Sequence, residues 1–224
     1  MKETQTEKAA LAAAVSARLT ERYPAAECAL LYGGDAWRLL VMGRLSAQCT
    51  DKRVNEVAPA LFSEIPTPAA AAKTPVSRIE ELVRSCGLYR TKARNIHDCG
   101  VLITERFGGR VPESEEDLLS LPGVGRKIAN LVRGDLWRRG GVVVDTHFIR
   151  VCGRIGFYPE TEKDPARIER IFEPLVAEPD RSDFCHRVVL FGREVCPARA
   201  PRCAGCPLAS LCSHFLQAGN DDRK

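Results

Sequence analysis

Apolar positions recur every three or four residues along most of this chain, and that period predicts helices almost from end to end. Residues 4–22 carry the pattern first. "DAWRLLVMGRLSAQ" (35–48) follows, with Asp35 placed as an N-cap. "KRVNEVAPALFSEI" (52–65) and "VSRIEELVRSCG" (76–87) continue it, the second with Gly87 where a C-cap glycine would stand. "TKARNIHDCGVLITERFGG" (91–109) is the clearest amphipathic helix and stops at Gly108 and Gly109. "ESEEDLLSL" (113–121) is a short helix whose acidic first turn suits the helix dipole. "RKIANLVRGDLW" (126–137), "RIERIFEPLV" (167–176) and "DFCHRVVLFGREVC" (183–196) complete the series. Only "GVVVD" (141–145) reads as extended. "TPAAAAKTP" (67–75), bounded by prolines, reads as a loop with one helical turn. No repeat is visible, and the expectation is an all-α protein whose composition shifts at "RRGG" (138–141).

Composition narrows the class. With 224 residues, 45% of them hydrophobic, the chain suits one or two small domains with a real core. Mean hydropathy is -0.18 and no apolar run has the length of a membrane span, so a membrane protein is excluded. The polar "MKETQTEKAA" start has no secretory apolar stretch, which leads us to expect an intracellular, cytoplasmic chain with no membrane partner. A net charge of +4 permits a nucleic-acid partner without requiring one. Arg outnumbers Lys 25 to 8, which fits phosphate recognition but equally a GC-rich genome.

Cysteine placement is more telling. Six of the ten, Cys28, Cys49, Cys86, Cys99, Cys152 and Cys185, are scattered, mostly among apolar neighbours, as reduced core thiols would be. The other four fall at Cys196-x6-Cys203-x2-Cys206-x5-Cys212. Four thiolates at such intervals can wrap one metal centre, and disulfides fit poorly in a cytosolic chain. Structural zinc sites usually pair two C-x2-C knuckles and this chain has one, so the uneven loops suit one [4Fe-4S] cluster, with zinc as the rival. The "PARAPR" loop between the first two ligands carries Arg199 and Arg202 between prolines. It is either a seat for a phosphate or a solvated loop tip.

"LPGVGRKIAN" (121–130) sets Pro122, Gly123, Val124 and Gly125 between two helical segments, followed by Arg126 and Lys127. Glycines permit positive φ and close backbone approach, and helix-start N–H groups with the dipole make an anion site. Such a helix-hairpin-helix turn grips phosphate whatever the base sequence; the plain alternative is a tight turn. A lysine in the first turn of a helix sits at its positive end, where a neutral amine is favoured, and a neutral amine can form a Schiff base with an aldehyde carbon. The alternative for Lys127 is a solvated surface residue. In "VVVDTHFIRV" (142–151), Asp145 either caps a helix or faces a cleft, and His147 either holds the helix start or touches ligand.

Together "LPGVGRKIAN", "VDTHFIRV" and the four-cysteine spacing, in that order, resemble the endonuclease III family of DNA glycosylases. "LSAQCTD" and "GLYRTKARNI" resemble the family's DNA-facing loops. The resemblance covers about residues 10–214 and implies two helical domains with a DNA cleft between them. One is a six-helix domain over 29–140 with the hairpin; the other joins 1–28 to 141–224 and carries the iron–sulfur loop. It implies Lys127 as Schiff-base nucleophile and Asp145 as catalytic carboxylate. Gln48 would fill the space of the extruded nucleotide, and Leu88 would wedge beside the opposite base; the plain alternatives are a helix C-terminal cap and a core leucine. It further implies a monomer acting on duplex DNA with damaged bases, oxidised pyrimidines by default, or abasic sites, by base release and β-elimination 3′ to the site. The chain departs at Ile128, where the family often has Thr, and at Cys49, where it often has Ala. The adenine-removing branch usually lacks the lysine that stands here as Lys127. The rival functions are a non-catalytic lesion-binding protein, a thymine or uracil mismatch glycosylase, and a redox sensor.

Overall fold

A computed structural model describes residues 4–221, and among them the chain forms twelve α-helices, three single 3-10 turns and no strand. Close packing of the backbone separates two compact units, one continuous from Cys28 to Trp137 and one made of two segments, up to Glu27 and from Arg138 onward. The expected domains ran 29–140 and 1–28 with 141–224; residues 1–3 and 222–224 of the latter lie outside the described residues.

The continuous unit holds α2 (Ala36–Leu45), α3 (Asp51–Glu64), α4 (Pro68–Lys73), α5 (Val76–Leu82), α6 (Tyr89–Arg106), α7 (Glu115–Leu119) and α8 (Arg126–Trp137). α2 starts where Asp35 accepts the Arg38 N–H. It is apolar on nearly every side, with Trp37, Leu39, Leu40, Val41, Met42 and Leu45 all buried, as a helix at the centre of a core must be. It ends three residues short of the sequence expectation, at Leu45, and Ser46 rather than Gln48 is its C-cap. α6 ends at Arg106, just before Gly108 and Gly109, which are both left-handed, and the Gly109 N–H returns to Ile103 O at 2.9 Å.

Two local expectations are corrected. α5 stops at Leu82 with Val83 as its cap, and Gly87 takes no left-handed conformation; the left-handed residue is Leu88, at φ 58°. The segment 67–75 is a six-residue helix, capped by the Thr67 side chain and opened by Pro68. Its packing on α6 stabilises it: a β-carbon at Gly100 would stand 2.7 Å from Pro68 O, so only glycine admits this approach. Alanines carry no period, which is why pattern alone read this stretch as loop. The 141–145 run is extended but pairs with no strand among the described residues; Val142 and Val144 are buried, and the Val143 N–H meets Cys185 Sγ at 3.2 Å.

The two-segment unit holds α1 (Gln5–Arg22), α9 (Thr146–Ile155), α10 (Pro165–Phe172), α11 (Arg181–Glu194) and α12 (Ser213–Asp221). A capping box at Thr4 and Glu7 opens α1. Its core centres on Phe172, whose ring lies 4.8 Å from those of Phe148 and Phe157 and 5.9 Å from that of Phe184. Side chains of α1 reach the far end of the sequence: Lys8 Nζ donates to Phe157 O, and Arg18 donates to Pro207 O and Ser210 Oγ. Among the described residues no helix is long and apolar enough to cross a membrane.

Candidate functional site

The hairpin is built by α7, a turn over 120–125, and α8. The Ser114 hydroxyl caps α7, and Val124 closes the turn by donating its N–H to Leu121 O at 3.1 Å while burying its side chain in the core. Cys99 Sγ holds the turn from below, donating to Pro122 O at 3.2 Å. Gly123 is left-handed at φ 74°, and a β-carbon there would sit 2.5 Å from Arg44 Nε and 2.6 Å from Asn95 Oδ1. Arg44 and Asn95 bond each other at 2.8 and 3.0 Å, so this floor is rigid.

Gly125 differs. It is not left-handed, and a β-carbon on it would meet nothing within 4 Å. The chain itself therefore gives no steric reason for glycine there. At the cap position of α8 it has no side-chain oxygen to satisfy the first N–H groups, which helical geometry leaves without partners inside the helix. Its carbonyl accepts from Ile128 and Ala129. The result is an exposed helix start with outward N–H groups, the arrangement that binds anions.

Arg126 and Lys127, in the first turn of α8, are exposed. Arg126 makes an open ion pair with Glu115 at 3.8 Å, while Arg133, one face further along, holds the same carboxylate at 3.0 Å. Lys127 is a surface amine two residues past Gly125. Ile128 turns inward and packs on α2 at Gly43.

Gln48 and Leu88 are both exposed and both left-handed, at φ 54° and 58°. Neither plain alternative holds: Gln48 is not the helix cap, and Leu88, 59% exposed, is not a core leucine. The two turns touch, since Gln48 O lies 3.4 Å from the position of a β-carbon on Gly87. An exposed leucine held left-handed costs about 1–2 kcal/mol of backbone strain and gains nothing from burial, a pattern typical of sites whose partner is elsewhere. Beneath them Lys92, fully buried on α6, donates from Nζ to Leu45 O at 2.8 Å and so caps α2.

Asp145 belongs to the two-segment unit and Lys127 to the continuous one. Asp145 is the N-cap of α9: Oδ1 accepts the Phe148 N–H at 2.7 Å, and Phe148 is locked in the aromatic cluster. Oδ2 makes no hydrogen bond among the described residues. His147 lies against α11, its Nδ1 3.1 Å from Arg150 Nη2, and Arg150 also holds Gly192 O and Cys196 O.

Cys196, Cys203, Cys206 and Cys212 line one cavity, whose apolar walls include Val151, Ile155, Phe191 and Leu208. Burial raises the pKa of the Cys206 and Cys212 thiols, and charge on the neighbouring sulfurs raises both further. Four sulfurs so placed resist ionising together unless a cationic centre joins them, so the donor set fits a metal cluster. N–H groups already point at the sulfurs, from Leu208 to Cys206 at 3.4 Å and from Arg154 to Cys196 at 3.3 Å. Arg154 also donates to Pro197 O and Ala198 O, fixing the "PARAPR" loop from behind, while Arg199 and Arg202 face solvent. Sequence reading missed Arg150, Arg154 and Lys92. The first two stand at i, i+4 on an otherwise apolar helix, a signal that was available.

Residues 41–178 match the HhH-GPD superfamily of base excision DNA repair proteins. The chain is 46% identical to an endonuclease III of Synechocystis sp. over 195 residues, 87% of this chain and 88% of that one. Among solved structures it is similar to a non-covalent endonuclease III–DNA complex, with TM-score 0.87 and 33% identity over 98% of this chain and 100% of that one. It is equally similar to a trapped covalent endonuclease III–DNA intermediate, with TM-score 0.87 and 33% identity over 97% of this chain and 100% of the other. A glycine kept where the chain needs none, four thiols round one cavity and these likenesses agree: the chain belongs to the endonuclease III family within the HhH-GPD superfamily of base excision DNA repair proteins.

Proposed function

We propose that Lys127 and Asp145 are the catalytic pair of this base excision repair enzyme, a DNA N-glycosylase with AP lyase activity that acts as a monomer on damaged or abasic duplex DNA in the cytoplasm. The observation that carries the reading is the exposed start of α8, with a glycine that nothing in the chain requires and a surface amine two residues on. Backbone N–H groups at Gly125, Arg126 and Lys127 take a phosphate, and Arg199 and Arg202 a second. The damaged nucleotide leaves the stack at a cost of a few kcal/mol, least where damage has weakened pairing. Gln48 fills the gap, and Leu88 inserts beside the opposite base, where burial recovers about 1.5–3 kcal/mol for its side chain.

The Lys127 amine then attacks C1′ of the sugar. The C1′–N bond to the base breaks, and the base departs with the bonding electrons. Asp145 stabilises positive charge developing at the sugar and takes the proton that the lysine nitrogen sheds. The sugar ring then opens, the C1′–O4′ bond breaking with its electrons and O4′ taking a proton, so that the C1′–nitrogen bond becomes an imine, which acidifies the 2′ hydrogen. Loss of that proton expels the 3′ phosphate, and water then hydrolyses the imine to free Lys127. Cys196, Cys203, Cys206 and Cys212 would hold one [4Fe-4S] cluster, which when bound cross-links the loop carrying Arg199 and Arg202 and adds fixed charge beside it.

Two measurements test this. Borohydride should trap the protein on an abasic duplex, and an oligonucleotide panel should show incision greatest at thymine glycol or oxidised cytosine, against uracil, a G·T mismatch and undamaged DNA. Base release without trapping overturns the lysine chemistry.

The two hairpin glycines should also separate. Gly123→Ala forces a side chain into the left-handed region against Arg44 and Asn95, so stability should fall by about 1–3 kcal/mol in thermal unfolding. Gly125→Ala meets open space and should fold normally, yet bind undamaged duplex about tenfold more weakly, the value of one charge-assisted hydrogen bond. Unchanged DNA affinity for Gly125→Ala would show that no phosphate approaches there.

A further inference from the structure

Cys49 and Cys86 are scattered in sequence but adjacent in space. Cys49 follows Gln48 in the turn after α2, and Cys86 stands two residues before Leu88 in the turn before α6. Their thiols lie close enough that charge on Cys49 bears on Cys86. The neighbouring backbones touch as well, at Gln48 O and Gly87. Cys86 is fully buried, whereas Cys49 is half-buried and open to a small oxidant. The buried ammonium of Lys92 lies close enough to feel both sulfurs. Burial, then the Cys49 charge, pushes the Cys86 thiol up to about 11, against which Lys92 pulls it down. Burial in turn lowers Lys92. None of these three side chains has a part in base excision as described above.

We propose that Cys49 and Cys86 form a reversible disulfide that locks the Gln48 turn to the Leu88 turn, so that a peroxide switches off base excision. The locking half rests on the proposed roles of Gln48 and Leu88; the bond itself does not. The Cys49 sulfur attacks one peroxide oxygen, the O–O bond breaks, and a sulfenic acid forms with loss of one water. The Cys86 sulfur then displaces the sulfenic oxygen, which takes the Cys86 proton and leaves as a second water. Two thiols are oxidised by two electrons, and one peroxide is reduced to two waters. Bonding two thiols this near needs little rearrangement, and the bond would hold the two touching turns at their present spacing, blocking any insertion of Leu88 and Gln48 that parts them.

The test uses the holoenzyme and diamide, which oxidises dithiols while its diazene bond becomes a hydrazine. Peptide mapping should find Cys49 joined to Cys86, with the bond undone by dithiothreitol and the visible absorbance of the cluster unchanged. Base release under single turnover should fall about tenfold or more on oxidation and recover on reduction. Cys86→Ala and Cys49→Ala should each abolish the joined peptides and make the rate, whatever its reduced value, insensitive to diamide. Absence of the joined pair overturns the bond, and a joined pair with an unaltered rate overturns the lock. If the chain released no base at all, the mapping would still report the bond, so failure of the proposed function is told apart from failure of the switch.

Discussion

Replacing Lys127 with Gln should abolish borohydride trapping on an abasic duplex and lower strand incision by at least about 10³-fold, because removing a covalent nucleophile leaves only the catalysis that binding and electrostatics supply. Binding should survive. The proposed phosphate contact runs through the backbone at the start of α8, where Gly125 accepts from Ile128 and Ala129 and keeps the helix in place. Stability should survive too: the side chain is exposed, and surface substitutions usually stay within about 0.5 kcal/mol. Gel-shift affinity, trapping yield and melting temperature on one preparation decide the matter. Trapping by the Gln variant at the original yield would mean that another amine forms the Schiff base.

Asp145→Asn is the companion experiment, and its interest is that one residue has two jobs. The structure makes Asp145 the cap of α9 through Oδ1. Asn caps as well as Asp, so the amide variant should keep its melting temperature while single-turnover base release slows about 10²-fold through loss of the carboxylate. Asp145→Ala loses both functions and should also lose about 1 kcal/mol of stability, or roughly 2–4 °C. If the Asn variant turned over at the original rate, the carboxylate would be a cap and nothing more.

Most of the fold was legible because long helices with an apolar face announce themselves, as α1, α6 and α8 do. Their ends were less legible. α5 stops at Val83 and not Gly87, and the left-handed position went to Leu88, a residue that no propensity places there. Such positions follow from tertiary context and not from local preference. α4 was hidden because alanines have no polar side to contrast with, and the helix depends on its fit to Gly100. In the site, the hairpin, Lys127, Asp145 and the four cysteines were readable because each motif is local. Lys92 was not, and the i, i+4 spacing of Arg150 and Arg154 flagged them without naming partners: these lie 47 residues from Lys92, at Leu45, and 42–44 from Arg154, at Cys196, Pro197 and Ala198. The extended valines misled only mildly, since burial without pairing gives the same apolar run as a strand.

The bonds from Lys8 to Phe157 and from Arg18 to Pro207 span 149 and 189 residues. On the ribosome, then, α1 emerges long before the partners that seat it. The 28–137 stretch forms a compact unit of its own and is free to close early. α1 must wait, its apolar face uncovered, for the 189 residues up to Pro207 to be made, roughly 10–40 s at about 5–20 residues per second. Long-range closure of this kind slows folding and lengthens exposure to aggregation. The polar dress of this helix, with its self-satisfied Thr4–Glu7 start, suits a segment that has to remain in water through that interval.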